Sequence, residues 1–278
     1  MSIANDGDER LKELETLIEN HHGKDCTISL NMAIHGFYTN SEEYIKKCLE
    51  TNKKYNLPVH IHFCENKNEV EDIKKAYNDT PANIIKKYFS DFHTILAHSV
   101  KLTDEDIDVL SKLNVHIAHC PISNLRLACG IAPISKMMDA GINIGLGSDG
   151  QGSGSNLDMF EVMKFAALLQ KGLNEDPKLL PAYEVLKMAT INGAKALGLE
   201  KKIGSIEVGK LADIIILNPE STLMKPMNDL ISNIVYNAKG TDVETTIING
   251  KIVMENRQIQ INEQDIYKKC AQIIERIS

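Results

Sequence analysis

Hydrophobic and polar residues alternate along the stretch 58–66 (PVHIHFCEN), and the rest of the chain is organised around it. Val59 and Ile61 begin a series of apolar residues at every second position, which is the period of a β-strand. His62 lies near the end of this strand, and Glu65 follows three residues later. Because parallel α/β folds place their chemistry at the carboxyl ends of strands, these two residues are candidates for a metal ligand and an acid. A strand histidine is also a common hydrogen-bonded core residue, and this stretch alone leaves both interpretations open.

Strands and helices alternate through the first two thirds of the chain. Besides the strand just described, strands are predicted at 26–34, 94–97, 115–118 and 141–147. Helices are predicted at 8–20, after Ser41, and at 66–75, 80–89, 104–113, 133–140, 157–170 and 182–197. Ser41 and Thr103 are of the types preferred at helix N-caps, and acidic residues follow each of them. Alternation at this spacing is typical of parallel β/α units, so the pattern predicts an α/β fold.

The pattern changes after residue 202, where short strands take the place of helices. Strands are predicted at 206–209, 211–217, 234–236, 245–248 and 251–253, and a helix at 264–277 closes the chain. Asn249 and Gly250, between the last two strands, are a strong hairpin signal. The sequence therefore predicts three units: an α/β unit at 1–202, a β-sandwich appendage at 203–262 and a C-terminal helix at 263–278.

Composition and charge narrow the classes of protein. The 278 residues are 43% hydrophobic and 25% charged, which is ordinary for a soluble globular protein. No run approaches the roughly 18 apolar residues of a membrane span, and the first residues have no basic leader, so we expect neither a membrane segment nor a signal peptide. A net charge of −7, without a basic cluster, argues against nucleic acid as a partner. The six cysteines occur singly, which suits free thiols in a reducing cytoplasm.

Polar side chains that are able to bind a metal stand at the ends of the predicted strands. They are His35, His62 with Glu65, His98, His119 and Asp149. All nine histidines lie between residues 21 and 119, so imidazole chemistry belongs to the first half of the chain. Imidazole and carboxylate suit zinc, which with three protein ligands and an open position activates water at neutral pH. A free carboxyl beside such a site serves as a proton carrier, although spacing alone leaves a structural role for these residues open.

Several motifs of the chain resemble those of the amidohydrolase superfamily. They are HIHFCEN, ILAHSV, IAHCPISNLRLACGIAPI and IGLGSDGQGSGSNLDMF, followed by ATINGAKALGLEKKIGSIEVGKLADIIILN. They are most similar to motifs of the 5-methylthioadenosine/S-adenosylhomocysteine deaminases and their triazine-hydrolase and guanine-deaminase relatives, and the similarity covers residues 10–261. The resemblance implies a partial TIM-type (β/α) barrel, made of strands four to eight and belonging to a metal-dependent hydrolase, with a small C-terminal β-rich appendage. It also implies hydrolytic deamination of an aminopurine nucleoside.

The resemblance assigns roles to the residues at the strand ends. His62 matches the family's metal ligand on the fifth strand, His98 the ligand on the sixth and Asp149 the ligand on the eighth. The cofactor it implies is zinc or another divalent metal such as iron. Glu65 matches the acid that protonates the purine ring, Asp149 would carry a proton from water to the leaving ammonia, and His98 would polarise the attacked carbon.

Other residues match positions around the substrate in the family. His35, in IHGFYT, matches a pocket histidine after the fourth strand. Ser153 and Arg10 fall where the adenosine-type deaminases contact their substrate. His119 begins the HCPxSN turn, and we expect it to shape the pocket without binding the metal.

One part of the family pattern has no counterpart here. Nothing before His35 matches the first three barrel strands or their HxH pair, and Glu65 shows that His60 and His62 fit the fifth strand better. A second polypeptide carrying those strands, or a homo-oligomer, is therefore an expected partner besides the small-molecule substrate. Guanine deamination or triazine-type chlorohydrolysis would use much the same ligands. An inactive remnant that serves as a binding or assembly module is a further hypothesis, because an open barrel edge favours association.

Overall fold

A parallel sheet carries the strand ends that the sequence singles out. The computed structural model describes residues 7–24, 27–154 and 156–277. In that part of the chain the sheet has five strands, which neighbour one another in chain order. They are β1 (Met32–Ile34), β2 (Val59–Phe63), β3 (Thr94–His98), β4 (Val115–His119) and β5 (Asn143–Leu146). Phe63 pairs with His98 and His119 pairs with Leu146, so the carboxyl ends of the last four strands lie at one edge.

Helices follow the strands and cover the sheet. They are α1 (Gly7–His21), α2 (Glu42–Tyr55), α3 (Lys67–Tyr77), α4 (Pro81–Phe89), α5 (Asp104–Leu110), α6 (Pro121–Arg126), α7 (Ile134–Asp139), α8 (Met159–Asn174), α9 (Ala182–Met188) and α10 (Ile191–Ala196). Ser41 caps α2, and Thr103 forms a capping box with Asp106 at the start of α5. Both predicted caps are confirmed. Across the described ranges, every helix is too short or too polar to cross a membrane.

The alternation along β2 sets the two faces of the sheet. Val59, Ile61 and Phe63 are fully buried in the hydrophobic core between strands and helices. His60 and His62 point to the other face and are half-buried. The period-two pattern therefore places the apolar residues in the core and the two imidazoles on the opposite, less buried face of the strand.

The C-terminal part contains an antiparallel sheet. Its strands are β6 (Ile214–Leu217), β7 (Val243–Ile248), β8 (Lys251–Glu255) and β9 (Gln258–Ile259), with α11 (Leu230–Tyr236) between the first two and α12 (Glu263–Ile277) at the end. Asn249 and Gly250 both adopt positive φ, at 48° and 75°, in the turn between β7 and β8. The predicted hairpin is confirmed, because that turn needs residues that tolerate left-handed backbone.

Several predicted elements differ from the structure. The helix predicted at 182–197 breaks into α9 and α10 at Thr190, whose ψ of −100° is not helical. The strand predicted at 234–236 is the end of α11, which begins after an N-cap at Asp229. The stretch 206–209 forms no strand, and Ile206 is 84% exposed. The strand predicted at 26–34 is confined to β1, and Cys26 lies outside the described residues. Apolar runs of three or four residues do not by themselves distinguish a strand from a helix turn.

Candidate metal and catalytic site

Two predicted ligands, His62 and His98, lie against each other at the carboxyl edge of the parallel sheet. The rings of His62 and His98 stack with centroids 5.4 Å apart and an interplanar angle of 16°. Asp149 follows β5 at the same edge. His98 and Asp149 both have left-handed backbone, with φ of 71° and 59°. This conformation costs an ordinary residue about 1–2 kcal/mol, and such residues concentrate at functional sites.

Hydrogen bonds fix the tautomers of both imidazoles. Nδ1 of His62 lies 2.6 Å from the carbonyl oxygen of His35, and Nδ1 of His98 lies 2.8 Å from Oδ1 of Asn124. Because both partners are acceptors, each Nδ1 carries the proton and donates it. The Nε2 lone pairs are then available, which is the arrangement that metal-binding histidines adopt.

The Asp149 carboxylate is held by two donors. Ser123 Oγ donates to Oδ2 at 2.6 Å, and the Gly150 backbone N–H donates to Oδ1 at 2.7 Å. Burial by itself would raise the pKa of Asp149. The two hydrogen bonds and the nearby imidazoles of His98 and His62 outweigh it and lower the pKa below its usual value. The group is therefore an ionised carboxylate at neutral pH, held in one orientation by its two donors.

Glu65 stands beside this pair of imidazoles. Its side chain is 13% exposed, and Oε1 lies 3.9 Å from Nδ1 of His98 and accepts from the Cys129 thiol at 3.7 Å. The turn that carries it is organised by Glu69, whose carboxylate accepts the backbone N–H groups of Cys64 and Glu65 at 2.9 and 2.7 Å. Burial raises the pKa of Glu69 despite these two bonds.

The residues predicted to contact substrate lie in different parts of the fold. His35 is exposed, with its ring centroid 4.8 Å from that of His62, and its Nδ1 lies 3.0 Å from Thr39 Oγ1. Ser153 lies four residues after Asp149, in a turn where its N–H donates to the Gly150 carbonyl. Arg10 lies on the exposed face of α1, where it pairs with Glu13 at 2.9 Å. His35 and Ser153 thus lie in segments that follow strands of the parallel sheet, whereas Arg10 lies on helix α1.

The loop of Ser153 folds back tightly on the strand end. A Cβ at Gly154 would collide with the carbonyl oxygen of Ser148, and the Gly154 N–H donates to the Gly150 carbonyl at 2.6 Å. Glycine is therefore required at this position for the close approach of two backbone segments. The approach keeps the loop near Asp149.

His119 is buried without a hydrogen-bond partner on either ring nitrogen. Burial and the neighbouring His98 lower its pKa to about 3. The ring is therefore neutral, and it lies near His98. His93 and His116 stack at 4.3 Å near the other end of the strands, where His93 bonds the Ala196 carbonyl and His116 bonds Asn143.

The three ligand candidates fit a metal in donor type. However, within residues 7–24, 27–154 and 156–277 there is no group of three or more His, Cys, Asp or Glu side chains close enough to hold an ion unaided. A cavity of about 510 Å³ lies elsewhere, near the amino ends of β2 and β3, with Pro58, His93 and Asn249 in its wall. We favour the strand ends over this cavity as the functional site, because two Nε2 atoms and an anchored carboxylate there can bind a metal ion.

Sequence reasoning missed Ser123, Asn124 and Glu69, which orient the predicted residues. Two local signals could have found them. A polar Ser-Asn pair stands in the mostly apolar run IAHCPISNLRL, and Asn66 is followed three residues later by Glu69, the spacing of a capping box. Asn66 does cap α3, but the Glu69 carboxylate reaches past it to the preceding turn.

Comparison with known proteins gives consistent matches. The amidohydrolase family matches residues 3–253. A 5-methylthioadenosine/S-adenosylhomocysteine deaminase from Caldanaerobacter subterraneus subsp. tengcongensis is 45% identical over 255 residues, which are 91% of this chain and 59% of that protein. An adenosine deaminase from Xanthomonas campestris, solved with bound zinc, aligns with a TM-score of 0.90 at 31% identity, over 97% of this chain and 61% of that one. Atrazine chlorohydrolase from Arthrobacter aurescens, complexed with zinc, aligns with a TM-score of 0.88 at 26% identity, over 96% and 60% of the two chains. The chain spans 59% to 65% of the length of three curated relatives that it matches.

Proposed function

The chain belongs to the amidohydrolase family, and from that membership we propose that the whole protein hydrolytically deaminates an aminopurine nucleoside. The substrate class is that of 5-methylthioadenosine, S-adenosylhomocysteine or adenosine, by similarity to relatives that carry these names. One observation carries the proposal: two imidazoles with free Nε2 atoms stand beside an anchored carboxylate and a second, nearby carboxyl group.

His62, His98 and Asp149 are the residues that would hold a divalent metal ion. Zinc is the first choice, since relatives in the same family bind it, and iron is the alternative. Such an ion supplies a strong nucleophile from water at neutral pH. The Nδ1 hydrogen bonds of both histidines favour this role, because they leave Nε2 as the ring atom that can face a metal ion.

Glu65 and Asp149 would carry the protons of the reaction. As water adds to the amino-bearing carbon, Glu65 in its acid form donates a proton to the adjacent ring nitrogen, and Asp149 accepts a proton from the water. Asp149 then delivers that proton to the amino group, which leaves as ammonia when the carbon–nitrogen bond breaks. Glu65 recovers a proton from the new hydroxyl group, and the oxopurine product forms. His98 lies 3.9 Å from Glu65 and would polarise the site near the attacked carbon.

The residues around the strand ends would position the nucleoside. His35 presents an exposed ring, with its centroid 4.8 Å from that of His62, which could stack on the nucleoside or form a hydrogen bond with it. Ser153 offers a hydroxyl on the loop after Asp149. Arg10 would reach the substrate from α1, exchanging its exposed ion pair with Glu13 for a contact with the ligand.

We also propose that further metal ligands come from outside the described residues. The described donors do not close a metal site by themselves, and a second polypeptide or a second copy of the chain would complete it. The division into a barrel unit (1–202), an appendage (203–262) and a terminal helix (263–278) belongs to this proposal. So does a reducing, cytoplasmic location, which the free thiols of Cys48, Cys64, Cys120, Cys129 and Cys270 favour.

Two alternatives remain as outcomes of the test. The first is guanine deamination or triazine-type chlorohydrolysis, which would use the same metal ligands. The structural similarity to atrazine chlorohydrolase is the reason to include chlorohydrolysis in the test. A non-catalytic assembly module is the other, since the described donors are incomplete. Release of ammonia from the nucleosides and from guanine, or of chloride from a chlorotriazine, separates the catalytic possibilities.

The test combines metal analysis with that substrate panel, on the chain with any upstream partner. We expect about one divalent ion per chain and ammonia release from a nucleoside. His62→Ala should lose metal and activity together, whereas Glu65→Gln should keep the metal and lose activity. Glu71→Ala, exposed on α3, is the matched control. Full activity in Glu65→Gln would overturn the proton-carrier role, and metal-free protein under all conditions would favour the assembly module.

A further inference from the structure

Helix α6 joins two of the candidate ligands through adjacent residues. It follows β4, the strand between β3 and β5; His98 is the last residue of β3, and Asp149 lies three residues after the end of β5. Ser123 and Asn124 are 0% and 1% exposed. One of them bonds a residue 26 positions later in the chain and the other a residue 26 positions earlier. A single turn of helix therefore contacts both neighbouring strand ends.

Asn124 is the hydrogen-bond partner of the His98 ring. Its Oδ1 accepts the Nδ1 proton at 2.8 Å, while its backbone is anchored by bonds to Cys120 and Cys129. The Nδ2 group of Asn124 has no partner among the described atoms. A buried amide that leaves a donor unpaired costs stability. The bond to His98 is the contact that accounts for an amide at this position.

Ser123 controls the direction of the Asp149 carboxylate. Asp149 has left-handed backbone, so its side chain leaves the strand end at an angle that the strand itself does not dictate. The Gly150 N–H fixes one oxygen and the Ser123 hydroxyl fixes the other. Without the hydroxyl, the carboxylate would keep only the Gly150 N–H bond, and Oδ2 would lose the donor that fixes it.

We propose that Ser123 and Asn124 are a pair of positioning residues that set the His98 tautomer and the Asp149 orientation together for metal binding. This inference rests on the proposed function, because it assumes that both residues bind the metal. Residues that orient metal ligands in this way contribute about 10- to 100-fold to metal affinity. Their placement on one helix turn makes the two ligands respond jointly to any movement of α6.

The first experiment needs no metal. Long-range proton–nitrogen NMR spectra of the histidine-labelled, metal-free chain report which ring nitrogen of His98 carries the proton. We expect Nδ1 in the wild type and in Asn124→Asp, which keeps an acceptor, and a shift towards Nε2 in Asn124→Ala. An unchanged Nδ1 signal in Asn124→Ala would overturn the role of Asn124. The carboxyl carbon signal of Asp149 should change in Ser123→Ala and recover in Ser123→Thr, and an unchanged signal would overturn the role of Ser123.

The second experiment measures zinc affinity by competition and the absorption spectrum of the cobalt form, on the protein with any upstream partner. Ser123→Ala and Asn124→Ala should each weaken binding about 10- to 100-fold, with partial rescue by Ser123→Thr and Asn124→Asp. Leu125→Ala, on the same helix but 38% exposed, is the control for loosening of α6. An equal loss in the control would overturn the inference. Tautomer and affinity changes in a protein that deaminates nothing would refute the proposed function alone, whereas an active enzyme with unchanged variants would refute the inference alone.

Discussion

Replacing Glu69 by alanine tests whether a buried carboxylate holds the turn that presents Glu65. The carboxylate is 3% exposed and accepts two backbone N–H groups, from Cys64 and from Glu65 itself. Cys64 has left-handed backbone at φ 49°, so the turn is not one that the local sequence adopts unaided. Glu69→Ala removes both acceptors and leaves one buried and one half-buried donor without a partner.

The size of the effect follows from the two bonds. Hydrogen bonds to a charged group contribute about 1.5–3 kcal/mol each, which gives about 3–6 kcal/mol for the pair. Burial of the carboxylate opposes this gain, as its raised pKa indicates. We therefore expect the free energy of unfolding to fall by about 3 kcal/mol, the lower end of that range. Glu69→Gln keeps one oxygen acceptor and should lose less.

The assay is urea unfolding followed by far-ultraviolet circular dichroism, together with amide hydrogen exchange of Cys64 and Glu65. Both amides should exchange faster in Glu69→Ala, since their acceptor is gone. Glu71→Ala, at an exposed position two residues after Glu69, should change neither the free energy of unfolding nor the exchange of the two amides. A Glu69→Ala protein within about 0.5 kcal/mol of the wild type, with both amides still protected, would refute the reasoning.

Two further predictions concern the core and the histidine pair. Ile61→Ala empties a fully buried position in β2 and should cost about 2–5 kcal/mol in urea unfolding. Ile206→Ala, at an 84% exposed position, should cost less than about 0.5 kcal/mol, and equal losses would contradict the assignment of the core. Burial and the neighbouring His93 lower the pKa of His116 from 6.5 to about 4. A lowered histidine pKa contributes stability above pH 6.5 that is lost as the pH falls towards 4, because the unfolded state binds the proton first. The urea midpoint of His116→Asn should therefore change less with pH over that interval than the wild-type midpoint does. Plots of midpoint against pH that run parallel for the two proteins would contradict this prediction.

The alternating and helical periods of the chain predicted most of the parallel sheet and its helices. Each depends only on residues two to four positions apart, as in β2 with Val59 and Ile61 in the core. N-caps such as Ser41 and Thr103 and the Asn249 turn are equally local. The predictions that differ are short or uniform segments, such as 234–236, for which the same residues suit a strand or a helix turn.

By itself, the sequence determined which residues stand at or near the strand ends, because the apolar stretch of each predicted strand stops close to them. It placed His62, His98 and Asp149 there. The tertiary structure alone decided how they are oriented: the tautomers, the Ser123 and Asn124 bonds and the turn held by Glu69. The bonds to His98 and Asp149 join residues 26 positions apart. No local period encodes such contacts, since they arise only when neighbouring strands of the sheet bring separate segments together.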